Sequence, residues 1–313
     1  MALISWAAER ACALLHAVGL APSVPEPYAD RLAKLDPATS SLDNEIYDSH
    51  TFDWSRSGLA LLNPVRVNYF LDKLHRLVST LDPAQSHTIT ILDLGCGSGI
   101  AVEAIHDAIA HSHTRVTADG IVDGNITYKL LGIDMSSRSI ELGRQRAASG
   151  GMSIEYVVGD IYALPFPSAS IDAMICSDVL EHLFDLRSAF SHIARVLKPN
   201  AIFSFDTINR TPTSFYLTIW ILQQILRAMQ GDAHDHRLYV TPQEAHTLMR
   251  DSKLIPGPQT DLVGMRPRIQ LPPVAIYKLI TGAGFISSCL TTFTQTSDLS
   301  ISYLHWCSKP APP

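Results

Sequence analysis

Several patterns that mark other protein classes are missing from this chain of 313 residues. It has no run rich in Lys and Arg, and 24 Lys and Arg against 30 Asp and Glu give a formal net charge of -6, which disfavours nucleic acid as a partner. Its five cysteines include no Cys-x-x-Cys pair, so neither a disulfide framework nor a cysteine-ligated zinc site is indicated. No internal repeat is present. The sequence therefore predicts one large domain, alone or with a lid, in a reducing compartment.

The amino-terminal residues 1–20 lack the uninterrupted apolar core of a signal peptide, because Glu9 and Arg10 fall inside it. Secretion is therefore not expected. The apolar spacing of an amphipathic helix leaves two interpretations open: a mitochondrial targeting segment, or a leading helix that packs over a ligand cleft. The predicted localisation is cytoplasmic, peripheral to a membrane, or mitochondrial.

The most informative stretch is residues 89–99, Ile-Thr-Ile-Leu-Asp-Leu-Gly-Cys-Gly-Ser-Gly. Its apolar part suits a central parallel strand covered on both faces, with Asp93 near its end. The alternating glycines let the backbone approach a ligand where a Cβ would collide, and residues 100–109 then have a helical pattern. A strand, glycine turn and helix predict a doubly wound α/β sheet that binds a ligand at the carboxyl ends of its strands.

Three later apolar runs also lead into polar residues, which are Asp134, Asp160 and Ser177 in chain order. A carboxylate after the second strand can accept both ribose hydroxyls of a nucleoside. Simpler interpretations stay open. The glycines can serve a tight turn alone, Asp134 can cap the following helix, and Asp160 can be a turn carboxylate.

The Asp-Leu-Gly-Cys-Gly-Ser-Gly loop, Gly-Ile-Asp and Gly-Asp-Ile, in that order, resemble the class I S-adenosylmethionine-dependent methyltransferases over about residues 89–205. The resemblance implies a doubly wound, mostly parallel seven-stranded sheet and S-adenosylmethionine as methyl donor. It implies that Asp134 holds the ribose and that Asp160 and Ile161 bracket the adenine. The donor-site residues that follow from it are Asp93, Gly95, Cys96, Gly97, Gly99, Asp134, Met135, Asp160, Ile161 and Ser177.

Residues 52–70 contain Phe-Asp-Trp and then Asn-Pro-Val-Arg. Pro64 suits the first turn of a helix capped by Asn63, which places Arg66 near the start of that helix. Spacing alone also allows a surface arginine. The segment resembles the ubiquinone-biosynthesis O-methyltransferases, in which the arginine of this motif contacts S-adenosylmethionine. The resemblance implies that Arg66 pairs with the donor's terminal carboxylate.

Residues 176–182, Cys-Ser-Asp-Val-Leu-Glu-His, contain the catalytic candidates. If Asp178 begins a helix, Glu181 and His182 return to its face and could hold a divalent cation or supply a base for a phenol. A capping box between Asp178 and Glu181 is the alternative. The segment resembles the Glu-x-x-Glu-His element of the same family. That resemblance implies a metal site of Asp178, Glu181 and His182, with the first carboxylate one methylene shorter.

Residues 1–80 are predicted as a helical cap and 81–313 as the methyltransferase domain, with a lid insertion around 210–273. Within the lid, residues 213–229 predict a helix that is too interrupted to span a bilayer. Its apolar side, with Phe215, Ile219 and Leu222, suits either a membrane surface or core packing. His234 resembles a family His-Asp element and joins Glu181 and His182 as a catalytic candidate, against a loop histidine as alternative.

Together these features predict an O-methyltransferase acting on a phenolic or catechol acceptor, in particular a polyprenylated quinone precursor. The expected cofactors are S-adenosylmethionine and a divalent metal such as Mg, Zn, Mn or Fe. Peripheral membrane contact is a further expectation. A methyltransferase of a soluble specialised metabolite and a donor-binding protein without catalysis are the alternatives.

Overall fold

The computed structural model describes residues 10–11, 13–48, 54, 58–110, 114–225, 233–269 and 290–311. These residues form one large sheet flanked by helices. The strands are β1 (His87–Leu94), β2 (Arg115–Thr117), β3 (Gly120–Asp123), β4 (Ile126–Asp134), β5 (Ile154–Val158), β6 (Ile171–Ser177), β7 (Leu197–Ile208), β8 (Ile255–Pro256), β9 (Val263–Ile269), β10 (Leu290–Thr296) and β11 (Ser302–Ser308).

Five α-helices longer than one turn accompany the strands in the described part of the chain. They are α1 (Asn63–Val78), α2 (Ile100–Ile109), α3 (Ser137–Gly150), α4 (Leu186–Val196) and α5 (Pro242–Asp251). A single turn, Pro212–Ser214, leads into the π-helix Phe215–Ile225, which we call the lid helix. The short 3-10 helices are Pro37–Thr39, Asn44–Asp48, Leu59–Leu61, Ile161–Ala163, Leu180–His182, His236–Leu238 and Gln259–Asp261.

The strand order is β10-β9-β11-β7-β6-β1-β4-β3-β2, with β5 also beside β4 and β8 beside β11. The central strands β5, β4, β1, β6 and β7 run parallel, and β11 and β9 add antiparallel strands at one edge. This arrangement confirms the doubly wound α/β class. The described sheet has eleven strands rather than the expected seven, and the β2–β3 hairpin of residues 115–123 accounts for two of the additional strands.

Apolar side chains cover both faces of the central strand, as its composition predicts. Ile89 and Ile91 of β1 pack on the side of α1 and α2, whereas Leu92 and Leu94 pack on the side of α4. All four side chains are buried. Since successive strand residues point to opposite faces, an apolar run of this kind requires helices on both sides of the sheet.

Two helix starts differ from the sequence-based expectation. Pro64 does lie in the first turn of α1, but Leu62 occupies the cap position and Asn63 instead donates Nδ2 to the Ile100 carbonyl at 2.8 Å. Ser136 caps α3, accepting from the Ser139 amide at 3.0 Å. The side chain of Asp134 is therefore not needed as a helix cap.

The lid helix packs against the N-terminal part of the chain. Phe215 and Ile219 are buried in a cluster that also contains Ala21 and the half-buried Leu15. Core packing therefore accounts for this part of the apolar stripe. No helix in the described ranges is long and apolar enough to cross a membrane.

Candidate functional site

A cavity of about 650 Å³ lies at the carboxyl ends of β1, β4 and β6, where the doubly wound topology predicts a ligand. Its volume is within the range of small-molecule and cofactor sites. Most of the expected site residues line it. They are Arg66, Asp93, Gly95, Cys96, Asp134, Met135, Asp160, Ile161, Ser177, Asp178, His182 and His234.

Three expected site residues, Gly97, Gly99 and Glu181, are not part of the cavity lining. A Cβ at Gly97, where φ is +53°, would collide with the Trp54 indole, and one at Gly99 would collide with Tyr156. Both glycines therefore allow the turn to be covered closely by aromatic rings. Glu181 is fully buried behind the cavity wall.

The side chain of Asp134 connects the end of β4 to the glycine turn. Its Oδ2 accepts from the Gly97 amide at 2.8 Å and its Oδ1 accepts from the Ser136 amide at 2.9 Å. Burial raises the pKa of this carboxyl. Each carboxylate oxygen has a second lone pair, so Asp134 can bond a ligand hydroxyl while it holds the turn.

The strand-end residues beyond Asp134 form the outer rim. Met135 is 68% exposed. Asp160 accepts from the Tyr162 amide at 2.9 Å and caps the short helix Ile161–Ala163. The turn role that the sequence left open for Asp160 is therefore realised, and the same residue lines the cavity.

Arg66 is 3% exposed, so it is not a surface arginine. Its Nη2 donates to Asp178 at 2.5 Å and to Asp206 at 3.0 Å. Burial opposes ionisation of Asp178, but the guanidinium outweighs it and holds the pKa of that carboxyl below its usual range. For Asp206 burial prevails and raises the pKa to about 7. One buried cation thus bonds two carboxyl groups, of which Asp178 lines the cavity and Asp206 does not.

Asp93 is a third buried carboxyl, 1% exposed at the end of β1. It accepts from the Val102 amide at 3.1 Å and so ties the strand to α2. Burial raises its pKa to about 7. Asp93 lines the cavity as well.

No helix begins at Asp178, contrary to the expectation from spacing. Its φ of +52° is left-handed, and only the 3-10 turn Leu180–His182 follows, with Val179 at the cap position and no side-chain cap. The left-handed conformation cannot continue into an α-helix. Glu181 accepts from the Thr207 hydroxyl at 2.7 Å instead. The capping-box alternative was wrong for the same reason.

Asp178, Glu181 and His182 do not form a common ligand set. Asp178 is paired with Arg66, Glu181 bonds Thr207, and His182 lines the cavity. In the described ranges no group of three or more His, Cys, Asp or Glu side chains could hold a metal ion.

His182 and His234 lie side by side in the cavity lining, with ring centroids 5.2 Å apart and ring planes tilted by 44°. Burial lowers the pKa of His182 to about 3 and that of His234 to about 4. Both imidazoles are therefore neutral near pH 7. The Nδ1 atom of each is buried and has no hydrogen-bond partner among the described residues.

Sequence reasoning missed several lining residues because they come from separate segments without a shared motif. Asn44 and Tyr47 belong to a short helix before the recognisable motifs, and the Tyr47 ring meets His182 edge-on at 5.8 Å. Asp206, which is buried beside Arg66 but does not line the cavity, was also missed. Further apolar lining residues are Leu217, Leu222, Met265, Pro267, Phe293 and Ile301.

Comparisons with known proteins agree with this geometry. A family model described as a methyltransferase domain matches residues 92–205. The ubiquinone biosynthesis O-methyltransferase of Methylocella silvestris is 32% identical over 241 residues, which cover 72% of this chain and 86% of that protein. The protein of the same name from Hahella chejuensis is 30% identical over 219 residues, covering 70% and 78%.

Among solved structures, a geranyl diphosphate C-methyltransferase from Streptomyces coelicolor matches with a TM-score of 0.48 and 16% identity, over 86% of this chain and 90% of that chain. The residues matched by the family model contain the glycine turn, Asp134 and the segment from Asp178 to His182.

Proposed function

This chain belongs to the family of the ubiquinone biosynthesis O-methyltransferases and is an S-adenosylmethionine-dependent methyltransferase, and we propose that its acceptor is a phenol or catechol with an apolar tail. One observation carries the proposal. A continuous cavity joins the strand-end carboxylate Asp134 to two neutral histidines and to an apolar wall. Such a cavity suits a donor at one end and an aromatic hydroxyl with a hydrocarbon substituent at the other.

The residues at the donor end fit S-adenosylmethionine. A Cβ on Gly95 would collide with Val179, so glycine lets the turn pack closely against that side chain at the edge of the cavity. Asp134 would hold the ribose, Asp160 and Ile161 would flank the adenine, and Arg66 would meet the terminal carboxylate. When bound there, the donor supplies an electrophilic methyl group.

The histidines supply the proton acceptor. A phenol has a pKa near 10 and is mostly protonated at neutral pH, so its proton must leave as the oxygen attacks. A neutral imidazole of His182 or His234 can take it. Burial lowers the pKa of both rings, and the Asp178 carboxylate offsets part of that effect.

Glu181 has a different part in this scheme from the one its sequence pattern indicated. Burial, followed by the neighbouring Asp178, raises the pKa of Glu181 to about 8, so it is largely protonated at neutral pH. It lies outside the cavity lining and bonds Thr207. We therefore assign it to the support of the wall rather than to proton transfer.

A divalent metal does not fit the side chains as they are placed, because Asp178 and Glu181 have other partners and no three ligands converge in the described part of the chain. No step of the proposed mechanism passes through a cation. Activity that survives chelation is the expected result, and activity lost to chelator and restored by Mg²⁺ would contradict this reading.

The apolar end indicates where a hydrocarbon tail would lie. Leu217 and Leu222 of the lid helix line the cavity together with Met265, Pro267 and Phe293 of the β9–β10 edge. We infer that the tail lies between these elements. We also propose residues 1–80 as a cap and residues 210–273 as a lid, because side chains from both segments line the cavity. Exposed Leu14, Val18, Leu20 and Ile225 near these elements support peripheral membrane contact.

The test uses labelled S-adenosylmethionine with catechol and with a farnesyl-substituted catechol, and product is measured by mass spectrometry. We expect methylation of both, with a lower KM for the farnesyl compound. Replacing both cavity histidines, His182→Ala with His234→Ala, should lower kcat by about 100-fold, the scale of general-base catalysis, while affinity for S-adenosylhomocysteine is retained.

The matched control is His87→Ala at the opposite end of β1, which should leave kcat unchanged. Donor binding without methylation of any phenol would favour the non-catalytic alternative. A fully active double-histidine variant would show that the proton goes elsewhere.

A further inference from the structure

Residues 30–48 precede the segment with recognisable motifs and cross the acceptor end of the cavity. We call them the strap. The amide of Leu35 donates to the Phe184 carbonyl at 2.8 Å, and Thr39 accepts from the Arg237 guanidinium at 2.8 Å. The strap therefore contacts the two loops that contain His182 and His234.

Arg31 donates hydrogen bonds to both of these loops. It is 2% exposed. Its Nη2 donates to the Leu183 carbonyl at 2.7 Å and to the Leu238 carbonyl at 2.9 Å, and its Nε donates to Leu238 at 3.0 Å. Leu183 is the residue after His182, and Leu238 ends the short helix that follows His234. One planar guanidinium thus bonds the backbone directly after His182 and the end of the short helix His236–Leu238 that follows His234.

Two further hydrogen bonds join the strap to the loops that contain His182 and His234. Asn44 donates Nδ2 to the carbonyl of His182 itself at 3.2 Å. Ser40 donates to the carboxylate of Asp235, the residue after His234, at 2.6 Å. Each histidine is therefore held through its own or an adjacent residue by the strap.

We propose that Arg31 is a positioning residue for methyl transfer, which sets the separation of His182 and His234 by bonding both loops. This inference rests on the proposed role of the two histidines as proton acceptors. It goes beyond that role because it assigns the geometry of the acceptor site to a residue that does not line the cavity.

The charge of Arg31 supports a geometric role. Burial lowers its pKa to about 10, and its Nη1 is buried without a hydrogen-bond partner in the described part of the chain. A neutral side chain could fill this space without burying a charge. The planar fork of donors is what arginine adds, and lysine cannot reproduce it because its ammonium is a point donor.

The test compares Arg31→Lys and Ser40→Ala with a matched control, Arg195→Lys. Arg195 also donates to two carbonyls, those of Phe166 and Leu164 at 2.7 Å, but these residues do not line the cavity. For each variant, kcat and KM with catechol, the Kd of S-adenosylhomocysteine and the Tm are measured.

We expect Arg31→Lys to lower kcat by about tenfold or more, since a shift of about 1 Å in a reacting group can cost roughly 100-fold. Ser40→Ala should lower kcat less, and in both variants the Kd of S-adenosylhomocysteine should stay within about twofold. In Arg31→Ala, added guanidinium ion should restore part of kcat. Arg195→Lys should lose Tm without losing kcat.

Wild-type kcat and KM in Arg31→Lys and Ser40→Ala would overturn the proposal. So would equal losses of kcat and donor affinity, which would indicate general destabilisation. If the double-histidine variant is fully active while Arg31→Lys still loses kcat selectively, the strap positions another group and the proposed proton acceptors are wrong. If the double variant is inactive and Arg31→Lys is normal, only the strap proposal fails.

Discussion

The carboxylate of Asp134 holds the glycine turn in this structure and is proposed to bind the donor ribose as well. Asp134→Asn removes the charge of this side chain and nearly keeps its shape. The side chain accepts from the amides of Gly97 and Ser136 at 2.8 and 2.9 Å, so an amide NH₂ in place of one oxygen must face a backbone N–H. A hydrogen bond to a charged group contributes about 1.5–3 kcal/mol. Because the same carboxylate is proposed to hold the donor ribose, the donor Kd should rise by roughly 10- to 150-fold at about 1.4 kcal/mol per tenfold.

Calorimetry with S-adenosylhomocysteine measures this change. Asp172→Asn is the matched control, because Asp172 also accepts from a backbone amide, that of Thr90 at 2.9 Å, and from Lys198 at 2.6 Å, yet it does not line the cavity. The control should lose thermal stability and keep its donor affinity. A folded Asp134→Asn protein with wild-type Kd would refute the assignment of the donor end of the cavity.

Two further predictions concern stability. Gly97→Ala and Gly151→Ala both place an alanine at a positive φ, +53° and +63° respectively, which costs about 1–2 kcal/mol. A Cβ at position 97 would also collide with Trp54, whereas a Cβ at position 151 would have no atom within 4 Å. Gly97→Ala should therefore lower Tm more and also weaken donor binding, and equal Tm losses would count against close packing at the turn. Burial, then His246, lowers the pKa of the fully buried His305 to about 4, below its usual 6.5, so its contribution to stability is present above pH 6.5 and is lost as pH falls toward 4. Urea unfolding should show that His305→Asn removes roughly 1.4 kcal/mol per pH unit of acid sensitivity in that window, and an unchanged slope in this variant would contradict the assignment.

The sequence predicted the strand and turn around β1 because their cause is local. Ile91 and Leu92 alternate between two buried faces, and the glycines that follow have the positive φ that the turn requires. The position of Asp134 at the end of β4 followed from the same pattern. The β2–β3 hairpin was not predicted, since its three- and four-residue strands are too short for a clear alternation.

The segment from Asp178 to His182 shows where local spacing misleads. A helix would have placed Glu181 and His182 on one face, and that prediction treated the three residues as each other's neighbours. In the structure Asp178 is bound by Arg66, a residue 112 positions away, and its backbone is left-handed. The long-range ion pair, rather than the i+3 and i+4 spacing, decides where each side chain points.

At each end of the cavity, hydrogen bonds join residues that are separated in the sequence, and the separation is much larger at the acceptor end. This difference explains why the sequence could predict the donor end only. Asp134 ends β4, Gly97 lies in the turn that follows β1, and the two residues are 37 positions apart, so a repeated pattern of an apolar strand and a polar or glycine end locates both. Arg31 and Leu238 are 207 residues apart, and neither segment contains a sequence pattern that predicts contact with the other. Family resemblance could identify His182 and His234 as catalytic candidates. The hydrogen bonds that we propose to set their separation could not be predicted, because the fold alone brings Arg31 to the loops of both histidines.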